Sequence, residues 1–143
     1  MPVKQSAKMQ FSLARRAVAE ACGTCLLLAT VVGSGIMGER LAGGNVALAL
    51  LANTIATGAG LVALILTFGP ISGAHLNPAV TLARAMSDTF AGIRPADVPG
   101  FIGAQILGAA VATTLFHWLV PSLPEDAASV VVPHAQPEHS ARE

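Results

Sequence analysis

The sequence predicts an all-α integral membrane protein with three transmembrane helices and one re-entrant half-helix. Three observations carry that expectation. Charged residues make up only 11% of the 143-residue chain against 53% hydrophobic ones, whereas a soluble domain carries roughly 25% charged residues because its surface faces water. Charge is absent over three long stretches, 21–38, 41–83 and 98–124. The middle stretch breaks at a glycine-rich segment and then restarts as a helix too short to cross a bilayer. The length suits one unit. Net charge is zero, Tyr is absent and Trp118 is the sole tryptophan, so neither a nucleic acid nor another polyanion is expected as partner.

Residues 1–16 carry Lys4, Lys8, Arg15 and Arg16 and read as a cytoplasmic N-terminal segment. A spanning helix needs about 20 largely apolar residues, so the first uncharged stretch holds one helix, over about 17–38. A basic segment before an apolar run also resembles a secretory signal peptide; Glu20 and the absence of a clear cleavage site favour a retained span. Cys22 and Cys25 have the spacing of a redox pair or half a metal site. With no second pair and no His cluster nearby, they read as two small residues on one helix face, and no metal or cofactor is expected.

The second stretch is too long for one span and barely long enough for two. It changes character at Phe68-Gly69-Pro70-Ile71-Ser72-Gly73. This predicts a helix over about 46–67 and a re-entrant region over 68–87, in which a loop precedes a short helix from Pro78 to about Ser87. The third helix is expected over 98–120, with Trp118 at its interfacial end. Residues 121–143, with Pro133, Pro137, His134 and His139, lack helical periodicity and read as a polar, disordered exterior tail; both histidines read as solvated.

Lysine and arginine set orientation. Lys4, Lys8, Arg15, Arg16, Arg84 and Arg94 fall on one side and Arg40 and Arg142 on the other. This bias places the N-terminus in the cytoplasm and the C-terminus outside, with three spans between. The bilayer itself is therefore the first partner.

Membrane helices associate where small residues let backbones approach, and each predicted helix carries some: Gly23 and Gly35, then Ala56 and Gly60, then Ala104 and Gly108. That pattern is generic to polytopic proteins. Intramembrane polar residues say more, because each is costly without a partner. Glu20, Asn53, Thr57, His75, Asn77 and Gln105 stand out. Glu20 and Gln105 read as hydrogen-bond partners for exposed loop backbone. Asn53 and Thr57, one turn apart, share a face that points either at a neighbouring helix or at a water-filled path.

Ser72-Gly73-Ala74-His75-Leu76-Asn77-Pro78-Ala79-Val80-Thr81 is the most informative segment. Asn is a favoured N-cap and Pro a favoured first helical residue, so Asn77-Pro78 starts a helix by local chemistry. Irregular backbone at membrane depth is tolerated only when buried in protein or lining a watery cavity. The Gly73, Ala74 and His75 carbonyls are expected as a ladder of acceptors, and the Asn77 amide as a donor at the same level. The helix N-terminus adds partial positive charge that repels cations. Such a site suits a neutral, hydrogen-bonding solute such as water.

With this loop, Ala19-Glu20-x-x-Gly23-Thr24 in helix 1 and Gly103-Ala104-Gln105-x-x-Gly108-Ala109 in helix 3, the sequence resembles the aquaporin (major intrinsic protein) family over about 16–120. The resemblance covers one repeat, the N-terminal half of a fold of six spans and two half-helices. It implies passive flow of water or small neutral solutes through a pore within each protomer, and four protomers per assembly. By the family pattern Asn77, in Asn77-Pro78-Ala79, donates to the solute at the channel centre and Glu20 braces the loop. Thr57 matches the helix 2 position of the selectivity filter; it is small where water-selective members usually carry an aromatic or His, which implies passage of glycerol-like polyols or neutral metalloid hydroxides.

The second Asn-Pro-Ala loop and the Arg that follows it are missing, and Val80 follows Ala79 here. One repeat cannot enclose the family's pore, so a working channel needs an inverted second copy, a complementary second-half chain, or several copies around a shared path. The charge bias disfavours inverted copies. The expectation is a half-channel of the inner (plasma) membrane of a bacterium. The alternative is a non-conducting membrane subunit or a truncated remnant. An enzyme is not expected: no Ser-His-Asp set, carboxylate pair or phosphate-cradling glycine loop is arranged for chemistry, and the embedded histidines, His75 and His117, lie in different elements.

Overall fold

Short polar caps set where the helices start. In the computed structural model, which describes residues 11–87 and 92–122, the Ser12 side chain accepts from the Arg15 amide and opens α1 (Leu13–Leu41). Asn45 accepts from the Leu48 amide at 3.1 Å and opens α2 (Val46–Ser72). Asn77 opens α3 (Pro78–Ala85), with Pro78 where its missing N–H costs nothing. A single 3₁₀ turn, Pro95–Asp97, leads into α4 (Val98–Leu119).

Three helix ends lie beyond their expected places, among them the end of α1, at Leu41 rather than 38. α1 starts four residues before 17, because the Ser12 cap serves two arginines that favour helix. α2 continues five residues past 67, through Gly69-Pro70. Proline removes one intrahelical hydrogen bond, yet the last turn is held from outside. The Ser72 hydroxyl donates to Glu20 at 2.7 Å, and Gly73, left-handed at φ 94°, returns its N–H to the Gly69 carbonyl. Pro121 and Ser122 form a turn; 123–143, and with them most of the expected tail, lie outside the described residues, as do 1–10 and 88–91.

α1, α2 and α4 are long and apolar enough to cross a membrane. α3, with eight residues, is about 12 Å long and cannot cross a hydrocarbon core of about 30 Å. The architecture is thus three spans and one half-length helix, as the sequence predicts. α1 is the common partner of α2 and α4, and α3 lies against α4. The outer faces are apolar, with Leu50, Val62, Leu66 and Leu107 all well exposed. Cys22 is exposed and Cys25 partly buried, both as free thiols.

The helices meet at few points of very close approach. Any Cβ at Gly108 of α4 would overlap the Ala21 carbonyl of α1 and lie 3.1 Å from the Cys25 amide. Gly103, five residues earlier, has no atom within 4 Å of that position. Gly108→Ala should therefore destabilise the protein by about 1–3 kcal/mol, the usual range for overpacking, while Gly103→Ala should be neutral or slightly stabilising. Unfolding in mixed micelles followed by circular dichroism checks this, and equal midpoints for the two variants would refute the close α1–α4 contact.

Candidate functional site

The chain reverses between α2 and α3 in a strained loop. Gly73, Ala74 and Leu76 have φ of 94°, 45° and 52°. For the two non-glycine residues such conformations are sparsely populated and cost about 1–3 kcal/mol each. The loop is fixed by one carboxylate. Glu20 of α1, fully buried, accepts from the His75 amide at 3.0 Å and the Leu76 amide at 2.7 Å. The Ser72 hydroxyl and Gln105 Nε2 of α4 donate to it as well, each at 2.7 Å. Ser72 in turn accepts from the Ala74 amide at 3.1 Å. Leu76 is buried against Gly23, whose missing side chain makes the space.

Beneath the loop lies a second polar layer. Thr81 of α3, fully buried, has its hydroxyl 3.2 Å from the Asn77 carbonyl and accepts from Gln105 Nε2 at 2.8 Å. Its hydroxyl is also 3.1 Å from His75 Nδ1. A hydroxyl has one proton, so Thr81 donates either to the Asn77 carbonyl or to His75 Nδ1, according to the tautomer of the ring. The His75 ring meets Phe101 edge-on, with centroids 5.1 Å apart. Phe101 is covered by the Arg16 guanidinium, 4.9 Å above its ring, and Arg16 pairs with Asp97 at 2.7 Å. A continuous packed chain thus joins the helix starts to the loop.

Asn77 is exposed and extended at φ −158°. Its Oδ1 accepts from the Ala79 amide at 2.8 Å. The acceptor end of the amide is therefore engaged in capping α3, and among the described residues nothing accepts from the Nδ2 donors. Ala79 and Val80 are exposed beside it, and Pro78 is half-buried.

The structure gathers Gly73, Ala74, His75, Asn77, Pro78, Ala79, Val80, Glu20 and Gln105 around this loop, and Thr57 elsewhere. Thr57 donates to Asn53 Oδ1 at 3.0 Å on α2, and Ser34 of α1 donates to the same oxygen at 3.0 Å. Asn53 thus addresses the neighbouring helix. Thr57 lies about 22 Å along the axis from Ser72, at 1.5 Å per residue. The expected acceptor ladder is altered at one rung, because Arg84 Nη1 donates to the Gly73 carbonyl at 2.8 Å. The site also takes in the side chains of Ser72 and Thr81, to which the sequence assigns no role of their own, and Phe101 and the Arg16–Asp97 pair. Ser72 and Thr81 bracket the motif and signalled their place; Asp97 and Phe101 gave no signal, since only folding brings them to Arg16 and His75. Among the described residues no group of three His, Cys, Asp or Glu could hold a metal ion.

The family profile described as Major intrinsic protein matches residues 6–141. Aquaglyceroporin AqpS of Rhizobium meliloti (strain 1021) is 50% identical over 117 residues, 82% of this chain and 48% of that protein. Probable aquaporin NIP7-1 of Arabidopsis thaliana is 41% identical over 99 residues, 69% of this chain and 34% of its own length. Aquaporin AqpM of Methanothermobacter thermautotrophicus is 34% identical over 119 residues, 73% of this chain and 47% of its own. The chain spans half or less of the length of these curated relatives. No solved structure matches it.

Glu20→Gln should release the loop, because an amide sets its own N–H donors against donors already in place. Each buried donor left unsatisfied costs about 1–3 kcal/mol. The His75 and Leu76 amides should then exchange with deuterium at least about tenfold faster, the equivalent of 1.4 kcal/mol, while the middle of α2 is unaffected. Unchanged exchange at these two amides would show that Glu20 does not hold the loop.

Proposed function

The chain belongs to the major intrinsic protein family, and on that premise we propose that it is one half of a passive transmembrane channel for water or small neutral solutes. The observation that carries this reading is Asn77. Its oxygen is held by the first turn of α3, so its amide N–H groups are set to donate to a passing solute. The Ala74 and His75 carbonyls precede it as acceptors. The N-terminus of α3 supplies partial positive charge at the same level, which disfavours cations.

The name of the Rhizobium meliloti relative supports glycerol-sized solutes, as does the small Thr57 at the expected filter position. Half of the pore wall comes from a partner, either further copies of this chain or a complementary chain with the second loop. The six-to-two Lys and Arg asymmetry favours a cytoplasmic N-terminus and weighs against copies inserted both ways.

Stopped-flow light scattering of vesicles tests this. The chain is reconstituted alone and together with the second half of the Rhizobium meliloti aquaglyceroporin, then shocked with an impermeant solute and with glycerol. At least one preparation should respond faster than empty vesicles. Asn77→Asp, which still caps α3 but lacks the amide donors, should slow it about tenfold, the worth of one lost hydrogen bond. If neither preparation beats empty vesicles with the protein inserted, the chain is a non-conducting subunit or remnant and the channel reading fails.

Thr57→Phe addresses the filter separately. It should slow glycerol more than water in whichever preparation conducts. Equal slowing of both would remove Thr57 from the constriction.

A further inference from the structure

Where α1 and α4 begin side by side, two guanidiniums share one carboxylate. Asp97 Oδ2 accepts from Arg16 Nη1 at 2.7 Å and from Arg94 Nε at 3.1 Å, and Arg94 Nη2 lies 3.0 Å from each carboxylate oxygen. The two pairs are not equivalent. The Asp97 side chain is 4% exposed, that of Arg16 21% and that of Arg94 76%. The shorter, sheltered bond to Arg16 already neutralises the carboxylate. An exposed pair such as Arg94–Asp97 adds little stability, so the Arg94 charge is surplus to the fold.

The cluster therefore carries one net positive charge. Arg94 uses Nε and Nη2, and Arg16 uses Nη1, so both keep donors that no acceptor among the described residues engages. Arg15, exposed, adds a further positive charge next in sequence. All of this sits at the first residues of the spans Leu13–Leu41 and Pro95–Leu119, at the depth of headgroups whichever way the chain inserts. Further along the same helices the exposed side chains turn apolar, with Val18 and Ile106 well exposed.

We propose that the Arg16–Asp97–Arg94 cluster is a docking site for the phosphate of an anionic phospholipid, whose acyl chains lie along the apolar start of the bundle. Guanidinium forks bind phosphate oxygens in pairs, and two forks held against one carboxylate oxygen can be bridged by a single phosphate. The phosphate would neutralise the charge that Asp97 leaves over. The site uses no residue of the loop and stands or falls independently of conduction.

The test is native mass spectrometry of the full chain released from bilayers of phosphatidylcholine mixed with phosphatidylglycerol. The wild type should retain phosphatidylglycerol with about five-fold enrichment over Arg94→Gln, the effect of one interfacial basic residue. Arg94→Lys should keep most of it, and Arg40→Gln, at the opposite end of α1, should match the wild type. Helical circular dichroism should be the same for all three variants, since both arginines are exposed. Excess inorganic phosphate should leave the retained lipid unchanged. Equal retention by wild type and Arg94→Gln, or displacement of the lipid by inorganic phosphate, would overturn the proposal.

Discussion

A single buried carboxylate organises this protein. Glu20 is removed from water entirely, a placement that costs several kcal/mol for an ion unless its oxygens are well satisfied. Four donors offset that cost: two backbone amides of the loop, the hydroxyl that ends α2, and an amide from α4. Because they come from different elements, α1, the loop and α4 cannot shift relative to one another without leaving part of the charge bare. The same bonds hold Ala74 and Leu76 in left-handed conformations that neither residue would adopt alone. The strain of the loop and the burial of the carboxylate thus stabilise each other.

The need for this device comes from the bilayer. A chain that turns back inside a membrane exposes backbone groups that water cannot satisfy, and each must find a partner in the protein. Glycine alone would permit the turn but would not specify it. Here Glu20 takes the His75 and Leu76 amides, Ser72 takes the Ala74 amide and Arg84 takes the Gly73 carbonyl. Thr81 and Gln105 close the layer below. The loop is rigid because its backbone groups are bound side by side from three directions.

Much of this was legible in the sequence. The three spans follow from long uncharged stretches, and the half-helix from Asn77-Pro78 so close after an earlier span. Glu20 and Gln105 stood out because a polar residue in such a stretch needs a reason. The helix ends were less legible. Gly69-Pro70 is a reasonable stop signal, overruled because Ser72 is tied to Glu20, fifty-two residues away. By sequence Asn53 has two possible faces, and the contact from Ser34 of the neighbouring helix decides between them. The Asp97–Arg16 pair spans eighty-one residues and could not be read locally. What the sequence concealed is pairing between elements, which depends on the angle at which helices cross and leaves no periodic trace.

The two sides of the loop differ in a way that bears on what surrounds the chain. Its inner side is densely bonded, with Glu20, Thr81 and Gln105 each shared among several partners, and among the described residues only the Thr24 hydroxyl and Gln105 Oε1 are buried there without one. Its outer side carries the Asn77 amide donors, which no acceptor among the described residues engages, beside the exposed Ala79 and Val80. Unpaired amide donors facing hydrocarbon cost several kcal/mol. A fold that spends so many bonds fixing the loop, and then presents open donors at its tip, is stable in a bilayer only if that tip faces water or another polypeptide. On the proposed reading it faces both: a partner half that closes the wall, and a file of solute that accepts from Asn77 in passing.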